Sequence, residues 1–411
     1  MTADPGRSRR FLLVIDLLFW AGAETQLRHL AIGLRGLGHE VTVLAVDDAT
    51  SYVADLDEAG VKLRVLGVKD RVGKLRALPE MVRIAREADL VHCTGWDASL
   101  WGRLAAIGAR RPALVTEHTA GRSFQVSRGG ASRGRLIALH NRLLDRATYA
   151  TIVVAEAQVA LLESEGVRPQ SIVRIPNAVP LAQLRRRAHD GVGRVELGIP
   201  AEAKLIVHAA RFTPPKGQPV TLRAVARMRE SLGDVRVLFA GAGPEEDAVR
   251  QQADELGADW ATFLGSRDDV PALLSAADLV VLPSTAEGLP MSLLEAMAVG
   301  TPVVSTDVGD VRWLLDVTGG GLCVDKEDED AFTEACTQVL GDSALRRRLG
   351  EAGSIGVIEF DAPRMAERYA EVFEAAIVSG PLPGLLICMA LMIAFAPFLA
   401  IRLGIPLPRS G

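Results

Sequence analysis

Cysteine is scarce in this chain. Cys93, Cys323, Cys336 and Cys388 are scattered through 411 residues with no paired spacing. That excludes a cysteine metal site and a disulfide framework, and fits a reducing compartment. Lysine is nearly as rare: only six of the 46 basic residues are Lys, so a lysine inside a motif stands out. No short-period repeat and no low-complexity tract is present. No His, Cys or acidic group falls at metal-ligand spacing, and a bound metal is not expected. The acidic pieces Asp47-Asp48 and Glu327-Asp328-Glu329-Asp330 are expected to be solvated. Strong positive charge is also missing. The net charge is −5, although Lys and Arg outnumber Asp and Glu by 24 to 19 in residues 1–180 and are outnumbered 22 to 32 thereafter. A modestly basic first half points to an acidic surface such as anionic lipid, and away from nucleic acid.

The N-terminus imitates a secretory leader, with Arg7, Arg9 and Arg10 before Phe11-Leu12-Leu13-Val14-Ile15. Asp16 stops that apolar run after five residues, and an amphipathic helix follows it. Residues 11–15 are therefore expected to be a first sheet strand. The C-terminus differs: residues 385–401 are seventeen without a charge, flanked by Arg402 and Arg409. That length lies at the lower edge of a membrane span, and Pro397 would kink a helix there. A membrane anchor is expected, spanning or dipping in; a buried or oligomerising segment is the alternative.

Length and composition fit two globular domains and an appendage. Apolar strands alternate with helical patterns in both halves. Strands are expected at 11–15, 41–46, 63–66, 90–93, 113–116 and 150–154, and again at 205–208, 235–240, 261–264, 279–282, 302–305 and 321–324. Such alternation specifies parallel sheets covered by helices. The pattern breaks over residues 176–198, around Asn177, Pro180 and Arg185-Arg186-Arg187. The chain thus reads as an α/β protein with domains at 1–180 and 181–360, a closing helix at 361–380 and a hydrophobic tail at 381–411.

Ligands of such sheets sit beyond the carboxyl ends of the strands. The most informative loop there is Glu287-Gly288-Leu289-Pro290-Met291, running into Ser292-Leu293-Leu294-Glu295. Pro290 suits the first helical position and Gly300 the position just past the end. A helix N-terminus offers unpaired N–H groups and a positive dipole end, so it can hold an anion. Glu295 lies about 7.5 Å along the axis from Pro290. Two carboxylates on either side of a bound phosphate suit a sugar nucleotide, whereas read alone they are a loop end and a solvated helix residue. The apolar neighbours of Glu295 require a partner for it, because an unpaired buried charge is costly.

Arg211 and Lys216, in a proline-stiffened loop, suit a diphosphate, Arg as a fork and Lys as a point charge. Gly241-Ala242-Gly243-Pro244 is a turn able to admit a nucleobase, although it lacks dinucleotide-fingerprint spacing. Gly22, in Trp20-Ala21-Gly22-Ala23-Glu24, allows close backbone approach at another helix start. His92 and His118 end buried strands at the expected active-site edge, a position that structural histidines also occupy. A basic helical pattern at 133–146 could lie on anionic lipid or simply face solvent.

In order and spacing these pieces resemble the retaining GT-B glycosyltransferases of family 4 over roughly residues 11–375. They are Gly22-Ala23-Glu24, Thr116-Glu117-His118, Ile175-Pro176-Asn177-Ala178-Val179-Pro180, Arg211 with Lys216-Gly217, Gly241-Ala242-Gly243-Pro244, and the Glu287 to Glu295 motif with Gly300-Thr301-Pro302. The resemblance implies two Rossmann-like domains facing across a cleft, the first binding an acceptor and the second a nucleotide-sugar donor. It assigns catalytic roles to His118, Arg211, Lys216 and Glu287, and donor binding to Gly22, Gly243, Glu287, Gly288, Leu289, Met291 and Glu295. Glu287 would contact the sugar and Glu295 the ribose. Two departures stand out. Ala21 or Ala23 replaces a glycine, and Gly309-Asp310-Val311-Arg312-Trp313 lacks the Pro and Glu of the usual Gly-Gly-x-Pro-Glu, which bears on donor choice.

The expected function is metal-independent, cofactor-free transfer with retention, from a UDP- or GDP-linked sugar to a lipid-linked acceptor at the cytoplasmic face of a membrane. A sugar-nucleotide 2-epimerase of the same architecture would need no anchor. A non-catalytic membrane-bound sugar-nucleotide-binding protein would not need Arg211, Lys216, Glu287 and Glu295 intact.

Overall fold

The structure, a computed structural model, describes residues 7–19, 22–118, 142–189 and 193–382. It divides into two compact units. One comprises Met1–Val154, Gln158–Ile175 and Ala366–Gly411; the other comprises Ala155–Ala157 and Pro176–Met365.

Among the described residues, the first unit contains β1 (Arg10–Ile15), β2 (Glu40–Ala45), β3 (Lys62–Val65), β4 (Leu90–Thr94), β5 (Ala113–Glu117), β6 (Ala150–Val153) and β7 (Ile172–Arg174). All pair in parallel, in the order β3-β2-β1-β4-β5-β6-β7. The central strands β1 and β4 are buried on both faces, which is why Phe11-Leu12-Leu13-Val14-Ile15 reads as continuous apolar sequence rather than alternation. The strand order reverses between β1 and β4.

The second unit holds β8 (Lys204–Ala209), β9 (Val235–Ala240), β10 (Ala261–Gly265), β11 (Leu279–Leu282), β12 (Val303–Thr306) and β13 (Gly321–Val324). Their order is β10-β9-β8-β11-β12-β13, all parallel, with the reversal between β8 and β11. Successive residues of one strand serve opposite faces. Leu205 and Val207 join Leu293, Leu294 and Met297 of the helix Met291–Ala298. Ile206 instead joins Phe239 and Val281, beneath the helices Gln218–Leu232 and Glu329–Gly341. Burying each such side chain is worth about 1.5–3 kcal/mol.

All twelve expected strands form, each within one residue of its expected limits. The unexpected strand is β7, three half-buried residues squeezed between a 3-10 turn and Pro176, too short to carry a pattern. The arginine cluster at 185–187 does not lie in a linker. It belongs to the helix Leu181–His189, where Arg185 Nε donates to Ala298 O at 3.1 Å and Nη2 to Ser354 O at 2.9 Å. An arginine there satisfies a carbonyl that the end of the Met291–Ala298 helix leaves unpaired.

The helix Ala362–Ser379 belongs to the first unit from Ala366 onward, which makes that unit discontinuous in sequence. Arg9 grips Glu374 with two hydrogen bonds of 2.7 and 2.8 Å. Phe373 packs edge-on against Phe11 at 5.1 Å, and Tyr369 OH lies 3.0 Å from Thr116 Oγ1. The apolar run 385–401 lies outside the described residues, as does the basic stretch at 133–146 apart from its last five residues. Among the described residues no helix is long and apolar enough to cross a membrane.

Candidate active site

The loops that follow β8 and β11 flank the reversal point of the second sheet, where a doubly wound sheet leaves room for a ligand. The first, residues 210–217, is locked by its neighbours. Phe212 buries its ring against Phe239 and Phe263, both at 6.0 Å. Its N–H donates to Ala242 O at 3.1 Å, and its carbonyl accepts from Glu245 N–H at 3.1 Å. Only glycine fits opposite. A Cβ on Gly241 would lie 2.1 Å from Ala210 O, and one on Gly243 would lie 2.3 Å from Phe212 O. Gly243 thus closes the loop that carries the cations, and Arg211 is left exposed beside it. The Arg211 carbonyl accepts from Gln218 Nε2 at 2.9 Å.

Lys216 ends a 3-10 turn, Pro214–Lys216. Gly217 follows at φ +75°, so close to the second loop that a Cβ would lie 2.1 Å from Pro283 O. This contact brings Lys216 Nζ within 2.6 Å of Glu287 Oε1. The Glu287 side chain is 8% exposed and that of Lys216 is 23% exposed. Beneath them His208 is fully buried, with Nδ1 2.9 Å from Thr221 Oγ1. Burial, then the Lys216 charge, lowers its pKa to about 3, so it is a neutral core residue.

Pro290 is the N-cap of the helix Met291–Ala298, one position earlier than expected, and its own side chain makes no capping hydrogen bond. Gly300 follows the helix at φ +84°, as expected. Gly288 is half-buried and Leu289 buried. Glu295 corrects an expectation. Among the described residues its carboxylate has no hydrogen bond or ion pair, and burial pushes its pKa up to about 7. The departure at Gly309 and Asp310 packs directly behind Glu287 and Gly288. Asp310 is buried, and its two carboxylate oxygens each lie 2.9 Å from the Glu156 N–H.

Of the ten expected site residues, these eight share the second unit. Gly22 and His118 lie in the first. Gly22 opens the helix Gly22–Gly36 with open space where a Cβ would stand. His118 follows β5, half-buried. His92 is a core residue, its Nε2 2.7 Å from Thr116 Oγ1, with a pKa held near 3 by burial and then by His118.

The acidic pieces are not simply solvated. Lys74, 1% exposed, sits 2.8 Å from both Asp47 Oδ1 and Asp97 Oδ2 at the carboxyl edge of the first sheet. Next to it Asp16 accepts the N–H groups of Asp97 and Ala98, and burial raises its pKa to about 6. Asp328 caps the helix Glu329–Gly341 through Ala331 N–H at 2.8 Å. Glu329 and Asp330 pair with Arg223 and Arg227. Rarity was the available signal for Lys74; nothing local marked Asp47 as its partner. Among the described residues no group of three His, Cys or acidic side chains is placed to hold a metal ion.

Comparison with known proteins agrees with this arrangement. Residues 21–178 match the family described as glycosyl transferase 4-like domain, and residues 193–355 match glycosyl transferases group 1. A phosphatidyl-myo-inositol mannosyltransferase of Mycolicibacterium smegmatis is 28% identical over 370 residues, covering 87% of this chain and 91% of that protein. The lipopolysaccharide core biosynthesis glycosyltransferase LpsE of Rhizobium meliloti is 34% identical over 183 residues, 44% of this chain and 53% of its own. Among solved structures, Anabaena Alr3699/HepE in complex with UDP superposes with a TM-score of 0.77 at 22% identity, over 89% of this chain and 100% of that one. The same protein with UDP-glucose gives 0.76.

The isolated Glu295 generates a pH prediction. Its folded pKa near 7 exceeds the ordinary 4.5, so between those values the folded state holds a proton that the unfolded chain has released. Stability from this group is therefore present below about pH 4.5 and is lost as pH rises through 7. The loss is at most about 3.5 kcal/mol, because each tenfold change in proton affinity is worth about 1.4 kcal/mol. Glu295→Gln should remove this slope. Denaturation midpoints of both proteins between pH 5 and 8 check it; parallel curves would refute the assignment.

Proposed function

This chain is a family 4-type GT-B glycosyltransferase, and on that premise we propose that it transfers a sugar, with retention, from a nucleotide diphosphate to a lipid-linked acceptor. The observation that carries the donor half is the meeting of Arg211, the Lys216–Glu287 pair and the N-terminal end of the Met291–Ala298 helix at one reversal point. UDP-glucose, bound by the Anabaena protein, is a donor of this chemical class, and the UDP it also binds is that donor's nucleotide diphosphate.

In this reading Arg211 forks onto the diphosphate, Lys216 adds a point charge, and the first N–H groups of the helix, Met291 among them, receive phosphate oxygens. Glu287, oriented by Lys216, accepts hydrogen bonds from sugar hydroxyls beside Gly288 and Leu289. Glu295 accepts from the ribose hydroxyls, supplying the partner that its protein surroundings do not. For Gly22 and His118, in the first unit, the resemblance to the family is the support for a role at the donor phosphates and in the reaction. The bond from the anomeric carbon to the diphosphate breaks, and one to an acceptor hydroxyl forms on the same face. The hydroxyl proton leaves with the diphosphate oxygen. Charge develops on the diphosphate, where fixed cations act most strongly. No metal and no cofactor is needed, and an enzyme acting on lipid-linked acceptors would work at the cytoplasmic face of a membrane, held there by residues 385–401. The word phosphatidyl in the mannosyltransferase's name, and the role of LpsE in lipopolysaccharide, support an acceptor carried by lipid.

Arg211→Ala or Lys216→Ala should lower transfer or hydrolysis in a panel of UDP- and GDP-sugars by about 10²–10³-fold, about 3–4 kcal/mol. Activity within threefold of wild type in either would sink the diphosphate assignment. EDTA should leave the wild-type rate unchanged; loss restored by Mg²⁺ or Mn²⁺ would show a metal requirement. Finally, the full chain should sediment with membranes and a chain ending at Gly380 should shift to the soluble fraction. Equal partition of the two would remove the anchor.

A further inference from the structure

The loop carrying Glu287 is held by groups to which the transfer chemistry gives no role. Asn177 is 7% exposed, and its Nδ2 donates to Leu289 O at 2.8 Å. Its Oδ1 is buried with no hydrogen-bond partner among the described residues. A buried acceptor left unsatisfied is a cost that packing alone gives no reason to keep. The bond it accompanies has a particular place. Leu289 O belongs to the peptide that enters Pro290, which has no N–H, so half of the usual means of orienting that peptide plane is missing.

A second segment meets the preceding residues. Asp310 N–H donates to Gly288 O at 2.9 Å. Gly309 sits at φ +57°, and a Cβ there would lie 2.3 Å from Gly288 O and 2.5 Å from Glu287 O. Asp310 is in turn held through its carboxylate by Glu156 N–H. The carbonyls of Glu287, Gly288 and Leu289 are thus each met from outside the loop. Their peptide planes set both the Glu287 carboxylate and the start of the Met291–Ala298 helix.

We propose that Asn177 and the Gly309-Asp310 turn form a two-point brace, and that both are positioning residues for transfer, fixing the donor loop while making no bond to the donor. The effect on turnover rests on the function proposed above; the brace itself does not. A displacement near 1 Å at reacting groups costs on the order of 10²-fold in rate. Nucleotide affinity, carried chiefly by Arg211 and Lys216, should change little.

The test uses the full chain with Asn177→Asp, which keeps the shape but loses the donated N–H, Gly309→Ala, and the double variant. In the unliganded proteins, hydrogen exchange of peptides covering 286–293 should be at least tenfold faster in each variant, with β9 and β11 unchanged. With whichever UDP- or GDP-sugar the wild type turns over, kcat should fall about 30–100-fold while Kd for UDP or GDP stays within about fivefold. The double variant should be no worse than the poorer single one within threefold, because both release the same loop. In Asn177→Asp, a protonated carboxyl can donate to Leu289 O again, so its kcat relative to wild type should rise as pH falls from 8 to 6. Unchanged exchange at 286–293 would overturn the brace. Faster exchange with kcat within threefold of wild type, or losses that multiply in the double variant, would overturn the positioning role. A wild type inactive on every sugar nucleotide would overturn the proposed function, with the exchange measurement still deciding the brace.

Discussion

The ion pair between Lys216 and Glu287, 2.6 Å long and mostly buried on the carboxylate side, is the contact on which the rest of the second unit's site depends. It joins the loop after β8 to the loop after β11, the two connections that part company where the strand order reverses. A carboxylate this enclosed is stable only with a partner, and a lysine held here keeps its remaining donors for an anion. The pair forms because backbone approaches backbone at Gly217 and Pro283, and because Gly241 and Gly243 let the Phe212 turn close. Replacing any of these glycines would move a cation rather than merely strain a turn.

Two carboxylates of the same motif end in opposite circumstances. Glu287 is matched to Lys216. Glu295, within the helix that follows, has no hydrogen bond or ion pair among the described residues, and burial raises its pKa to about 7. In the proposed function the first is a preorganised acceptor, and the second takes its hydrogen bonds from the donor. The same contrast recurs at the carboxyl edge of the first sheet. There Lys74 neutralises Asp47 and Asp97, while Asp16 relies on backbone N–H groups and sits near pKa 6. Ionisable groups of perturbed pKa thus occur beyond the carboxyl ends of strands in both sheets, Asp16 after β1 and Glu295 in the helix after β11.

Much of this was legible along the chain. Central parallel strands are buried on both faces, so 11–15 and 279–282 appear as unbroken apolar runs, the first told from a secretory leader by the early Asp16. Strand β7 escaped because three half-buried residues carry no period. Asp47 was misread because it stands beside Asp48 just past a strand, while its partner Lys74 is 27 residues away and reaches it only after the helix Arg71–Arg86 packs. The arginine cluster at 185–187 looked like a linker for a related reason: the carbonyl that Arg185 caps belongs to Ala298. Asn177 was visible as part of a motif, but its bond to Leu289 spans more than a hundred residues.

By itself the sequence determined the alternation of strand and helix, the two parallel sheets, the cationic loop with Arg211 and Lys216, and the family. All of these are local, since they depend on period, on glycine and proline placement, and on residue types a few positions apart. Tertiary structure alone decided which charges are paired. It joined Lys216 to Glu287, left Glu295 without a partner among the described residues, buried Lys74 between two aspartates, and set Asn177 and Gly309 behind the loop that carries Glu287. The physical reason is that ionisation and hydrogen bonding answer to burial and to atoms within about 3 Å. In a doubly wound sheet those atoms come from loops far apart in sequence, gathered at one edge only by the strand order.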